Sequence, residues 1–274
     1  MQIEVPPIRQ QRAEGRAEVA MEVSRGATRL RRLYQAGCAK ALLPRVHGAM
    51  PEAILINTSG GITGGDRLAY AAAAGAGAGM TVTTQAAERI YRSSGGVGMV
   101  DVALSLGPRA RLDWLPQETI LFEGGRLARR LTVEMAEDAR LTLLESVVLG
   151  RAAMGETLRG ASITDHWRVR RGGRLVHAEA LRLGPDITVG TRGRATLRGA
   201  RAFATLVHVA PGAEDRLAEA RRLLAETDLP AAASAKPGVL ILRLLAPDAA
   251  PLRQMLFRLL KALRGAALPR VWSL

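Results

Sequence analysis

A single cysteine, Cys38, is the only thiol in the 274-residue sequence. Alone it cannot close an internal disulfide. Between Gly37 and Ala39 it reads either as a soft metal ligand or as a small buried apolar residue, and burial is the commoner fate of a free cysteine. The four histidines, His47, His166, His177 and His208, fall at no spacing typical of a zinc site, so no dedicated metal cage and no tightly bound cofactor are expected. Aromatic residues are scarce, with three each of Phe, Tyr and Trp. None interleaves with the clusters Arg168, Arg170, Arg171, Arg174 or Arg192, Arg194, Arg198, Arg201 in the way that base-stacking platforms do. Long apolar runs are missing too. The stretch Gly238 to Ala246 falls far short of the roughly 20 residues of a membrane span, so no membrane partner is expected. Residues Met1 to Arg16 carry Glu4, Arg9, Arg12 and Glu14 without an apolar segment, so the expectation is a cytoplasmic protein with no secretory leader.

What is abundant is arginine. The formal net charge is +14, yet the only lysines are Lys40, Lys236 and Lys261. Such a charge draws a protein toward acidic partners. The arginines are spread along the chain and form no basic tail, which leaves a basic β-rich nucleic-acid-binding protein as an alternative resting on charge alone.

From Arg16 to about Ala210 the sequence alternates apolar and polar residues in short runs broken by glycine or proline, the pattern of half-buried strands. Ala17 to Val23, Met99 to Leu106, Leu131 to Met135, Ile163 to Arg170 and Leu175 to Leu181 are examples. In Ile163 to Arg170, the residues Ile163, Asp165, Trp167 and Val169 share one face. Gly124-Gly125, Gly172-Gly173 and Gly193 supply the connections. After Pro211 the period changes to that of helices. Leu217, Ala220, Leu223 and Leu224 follow the carboxylates Glu214 and Asp215. A second stripe, Leu252, Met255, Leu256, Leu259, Leu260 and Leu263, runs from Pro251 to Gly265. Between them Val239 to Leu245 reads as a buried strand and Ala231 to Pro237 as a link. The expected fold is mainly β, a large body over residues 1–212. A small C-terminal α+β portion over 213–274 is packed on it as one domain.

Three glycine-rich stretches, Gly60 to Gly65, Gly75 to Gly79 and Gly95 to Gly98, lack the Lys-Ser/Thr pair of a phosphate-binding loop and the following helix of a dinucleotide fingerprint. Turns, or close approach of one backbone to another, account for them better. The serines Ser59, Ser93, Ser94 and Ser146 sit in no nucleophile elbow. Carboxylates in apolar or glycine-rich surroundings are more informative: Asp66, Glu118, Glu123, Glu145, Glu156 and Glu179. Buried, each needs an arginine partner, water or a metal. A metal-dependent hydrolase built on them is a second alternative.

The run Gly60-Gly61-Ile62-Thr63-Gly64-Gly65-Asp66-Arg67-Leu68 resembles the glycine-rich signature of the UreD (UreH) family of urease accessory proteins. Thr63 stands where that signature more often has an aliphatic residue. Further blocks follow in the family's order. They are Thr83-Thr84-Gln85-Ala86-Ala87, then Ile90-Tyr91-Arg92-Ser93, then Leu112 to Phe122, then Glu145 through Leu149-Gly150-Arg151 with Gly155-Glu156, and finally Pro269-Arg270-Val271-Trp272. The segment Arg182 to Gly212 has no distinctive match. The resemblance implies stacked, β-helix-like sheets with a few helices and a protein that is not itself an enzyme. It implies binding to apo-urease and to the accessory protein UreF, which recruits the GTPase UreG. Nickel, the cargo in transit, would pass through an internal polar passage. Oxygen ligands suit such a passage because they hold nickel less tightly than imidazole or thiolate sets. Asp66, Thr84, Glu118, Glu145 and Glu179 are the expected wall residues of that passage. Arg258 and Arg264, on the polar face of the last helix, are the expected contacts to UreF.

Overall fold

The structure, a computed structural model, describes residues 11–45, 50–151 and 154–273; His47, Glu4 and Arg9 lie outside the described residues. The chain opens with β1 (Glu14–Ser24), β2 (Ala27–Gly37), β3 (Ala39–Leu42), β4 (Glu52–Asn57), β5 (Arg67–Ala74) and β6 (Gly79–Thr84). It continues with β7 (Glu88–Ile90), β8 (Gly98–Leu106), β9 (Arg111–Leu115), β10 (Thr119–Leu121), β11 (Arg126–Met135) and β12 (Arg140–Leu149). Next come β13 (Ser162–Arg171), β14 (Arg174–Leu183), the short helix α1 (Ile187–Gly190) and β15 (Ala202–Val209). The C-terminal part holds α2 (Leu217–Leu224), β16 (Ala231–Lys236), β17 (Val239–Ala246) and α3 (Ala249–Arg264).

Two sheets are stacked. One runs β14-β13-β11-β8-β5-β1-β2 and the other β16-β17-β15-β12-β9-β6-β4-β3. The chain crosses from sheet to sheet as it advances: β5, β8, β11 and β13 are laid down in parallel on one side, and β4, β6, β9 and β12 in parallel on the other. This gives a mainly β, solenoid-like stack, the arrangement that the family resemblance implied and that agrees with the alternation. The inter-sheet core is filled by residues such as Val102, Leu104, Leu131, Met80, Leu112 and Leu143, each under a tenth exposed. A fully buried side chain of this size stabilises the fold by roughly 1.5–3 kcal/mol relative to exposure.

The second sheet is covered on its other face as well. Leu252, Met255, Leu256, Leu259, Leu260 and Leu263 of α3 pack with Leu144, Leu206, Leu240 and Leu242 in a second apolar core. The stripe on α3 is thus spent on the chain's own core. One element departs from the sequence reading: Ala231–Lys236 is not a link but the strand β16, antiparallel to β17 and at the edge of the same sheet. Its alternation of alanines with Ser234 and Lys236 is too weak an apolar signal to mark a strand.

Candidate functional site

Parity along β11 and β13 of one sheet and β12 of the other decides which polar groups enter the space between the sheets. On β11, Leu127, Leu131 and Val133 belong to the inter-sheet core, and Arg129 has their parity. On β12 the same is true of Glu145 beside Leu141, Leu143 and Val147, and on β13 of Asp165 beside Ile163 and Trp167. β11 and β13 are parallel, with Arg129 directly opposite Asp165. Three charged side chains therefore meet in an apolar layer, each less than a tenth exposed.

Arg129 Nη2 donates to Asp165 Oδ2 at 2.5 Å, while Nη1 donates to Glu145 Oε2 and, at 3.3 Å, to Thr119 Oγ1. The outer carboxylate oxygens are held by indoles: Trp114 Nε1 donates to Glu145 Oε1 and Trp167 Nε1 to Asp165 Oδ1, both at 2.9 Å. Among the described residues, Arg129 Nε has no hydrogen-bond partner. Burial works against the Arg129 charge, and Asp165 and Glu145 more than restore it, raising its pKa. Burial pushes Glu145 up to about 7 against the pull of Arg129, and Asp165 adds to the rise.

Two cavities abut this triad. The first, about 200 Å³, is bordered by Asn57, Tyr70, Thr84, Glu88, Gln117 and Thr119 among others. The second, about 620 Å³, is bordered by Asp165, Trp167, Glu179, Phe203, Arg194 and Arg243 among others. Arg129 and Glu145 are the residues common to both walls. In the first cavity, burial pushes Glu88 up to about 7, partly offset by the hydrogen bond from Asn57 Nδ2 at 3.1 Å and by Arg89. Among the described residues, no group of three or more His, Cys, Asp or Glu side chains is arranged to hold a metal ion.

The model of the UreD urease accessory protein family matches residues 13–273. The chain belongs to the UreD family. A urease accessory protein UreD from Methylobacterium sp. (strain 4-46) is 53% identical over 271 residues, covering 97% of this chain and 96% of that protein. Those from Cereibacter sphaeroides (strain ATCC 17025 / ATH 2.4.3) and Chelativorans sp. (strain BNC1) are 51% identical over 263 residues and 49% over 274. They cover 96% and 100% of this chain, and 96% and 98% of their own lengths.

The blocks that carry the UreD resemblance converge on this site and its supports. Gly61, at φ +155°, passes so close to β7 that a Cβ there would lie 2.7 Å from Arg89 O, so at this position the glycine signature is a matter of close backbone approach. The Thr63 hydroxyl donates to Arg92 O at 2.9 Å, tying the same two segments. At the C-terminal end, Trp272 is buried, with Nε1 donating to Leu115 O at 3.2 Å and Arg253 stacked 5.1 Å from its ring centre.

Of the five expected wall residues, Thr84 borders the first cavity, Glu179 the second and Glu145 both. Asp66 and Glu118 border neither. Asp66 accepts from Ala13 N and Thr63 N, each at 2.8 Å, and so closes the glycine turn; Glu118 pairs with Arg253 at 3.3 Å. Glu123 accepts from the backbone of Arg159 and Gly160, and Glu156 pairs with Arg151, so these too have structural partners.

Arg258 is exposed and pairs with Glu226. Arg264 is not on the polar face of α3. It is 7% exposed and tied to Asp113 at 2.7 Å and Thr81 at 2.8 Å, so it is not a surface contact. Cys38 is half-buried, and burial pushes its thiol pKa up. His177 and His208 are buried apart from any shared site, His208 against Thr142 Oγ1 at 3.3 Å. Arg129, Asp165 and Glu88 were missed by sequence reasoning. The signal for the first two was a charge at an inward position of an alternating strand.

Proposed function

We propose that this chain serves urease maturation as a non-catalytic scaffold, in the cytoplasm, whose interior passes nickel as cargo toward apo-urease. It binds apo-urease and UreF, and reaches the GTPase UreG through UreF. The observation that carries this reading is that two polar-edged cavities meet at one buried carboxylate, Glu145. Taking a divalent ion out of water is costly unless oxygen ligands replace its hydration shell. Thr84 and Glu88 on one side of Glu145, and Asp165 and Glu179 on the other, supply such oxygens. The family's role in urease maturation provides the destination.

The test is Thr84→Leu, which fills the first cavity with an apolar side chain, co-expressed with urease subunits and the accessory partners. The expected result is a complex of normal composition with urease of low nickel content, read by elemental analysis. Normal nickel content in a normally assembled complex would overturn the route. Turnover of an ester, amide or phosphoester by the purified chain would overturn the non-catalytic part.

A further inference from the structure

We propose that Glu145 and Asp165 form a divalent-cation station between the two cavities, and that Arg129 is the resident cation that a metal ion must displace. This rests on the reading of the interior as a nickel route. Glu145 Oε2 and Asp165 Oδ2 converge on a single guanidinium, so the site already holds a positive group in place. Thr119 Oγ1 adds a third oxygen at 3.3 Å from the same nitrogen that Glu145 contacts. Trp114 and Trp167 hold the outer oxygens, which leaves the inner ones facing the guanidinium.

Arg129 stands where the two cavities meet, so nothing crosses from one to the other at this point without passing its charge. A guanidinium is not deprotonated in a protein, so it can yield only by moving. Its Nε finds no acceptor among the described residues. The second cavity, about 620 Å³, has room for the displaced head group. With both carboxylates ionised, the site carries one net negative charge around the guanidinium and none around a divalent ion, and the displaced guanidinium takes its charge with it into the second cavity. Two carboxylates, a hydroxyl and water make an all-oxygen set, which binds nickel weakly enough for it to leave. Arg129 thus sets both the barrier and the preference for a doubly charged ion.

The experiment is calorimetric titration of nickel into the purified full chain, alone or with its co-expressed partners. Arg129→Met removes the resident cation and keeps an unbranched apolar stem. It should gain one nickel site bound at least about tenfold more tightly than any in the parent, and nickel should raise its melting temperature. The pair Arg129→Met with Asp165→Asn should lose both effects, which a purely structural role for Arg129 does not require. If folded Arg129→Met, checked by circular dichroism, binds nickel no better than the parent, the station is refuted. If Arg129→Met is recovered only as aggregate, Arg129→Gln takes its place. Its neutral amide also removes the resident cation while still donating a hydrogen bond to a carboxylate, and unchanged nickel affinity in that folded variant refutes the station equally. Nickel content of urease in cells carrying Thr84→Leu separates the two readings. Blocked delivery there, with no new site in the Arg129 variants, would leave the route standing and remove the station.

Discussion

Arg264 Nε lies 2.7 Å from Asp113 Oδ2, joining the last turn of α3 to β9 with side chains 3% and 1% exposed. Breaking a buried pair by removing one partner costs up to about 3–5 kcal/mol, and Arg111 Nη2, 3.4 Å from the same oxygen, offsets part of that loss here. Arg264→Ala should therefore lower stability by up to that order in denaturant unfolding, and Arg264→Glu by more, since it places a second carboxylate beside Asp113. Arg258→Glu, on the exposed face, should change stability by about 1 kcal/mol or less. It is the variant that probes docking of UreF on α3, with the affinity of the complex as its readout.

Glu88 should give the chain a pH dependence that Glu88→Gln lacks. Its folded-state pKa is raised from 4.5 to about 7, chiefly by burial. Arg89 pulls it down, while Tyr70 and Cys38 are the other titratable groups that feel it. The fold therefore favours the protonated acid. This contribution is fully present below about pH 4.5 and is lost as pH rises through about 7. Unfolding of parent and variant between pH 5 and 8 should diverge in that direction, by a difference on the order of 3 kcal/mol from a shift of this size. Superimposable profiles would show that Glu88 is already solvated.

Much of the body was legible because half-buried strands announce themselves by alternation. β1, β8, β13 and β14 fall where apolar and polar residues alternate. β12 did not show this period, because Leu141, Leu143 and Val147 face one core while Leu144 and Val148 face the other. A strand buried on both faces reads as a continuous apolar run. The same strand supplied Glu145, recognised as a carboxylate in apolar surroundings. Its partners were harder, since Arg129 and Asp165 become neighbours only through the register of β11 against β13. The place of Asp66 was hidden for the opposite reason: a carboxylate in a glycine turn finds its donors in the local backbone, here Thr63 N.

Gly61→Ala should destabilise the chain without touching the cavity chemistry directly. The backbone there has φ +155°, and an added Cβ would lie 2.3 Å from the Tyr91 ring and 2.7 Å from Arg89 O. The tyrosine can move aside but the carbonyl cannot move without disturbing β7. A loss of about 1–3 kcal/mol in thermal or denaturant unfolding is expected from strain of this kind. A neutral effect would mean that the two segments do not pack as closely in solution.

Asp66 and Glu179 should separate stability from nickel delivery in opposite senses. Asp66→Ala removes the acceptor for two backbone N–H groups, Ala13 N and Thr63 N, in a side chain 5% exposed. Leaving such donors unsatisfied costs about 1–3 kcal/mol, so the fold should weaken. Because Asp66 borders neither cavity, whatever protein assembles should still load urease in proportion to its amount. Glu179 is paired with Arg243 at 2.5 Å in a position 21% exposed, and it borders the second cavity. Glu179→Gln keeps the shape and loses the charge, so stability should change by about 1 kcal/mol or less. The arginine would then face the cavity uncompensated and repel a passing cation. Nickel per assembled urease should therefore fall in Glu179→Gln and stay normal in Asp66→Ala, measured on complexes of equal amount. The reverse pattern would put the route through the glycine turn and away from the second cavity.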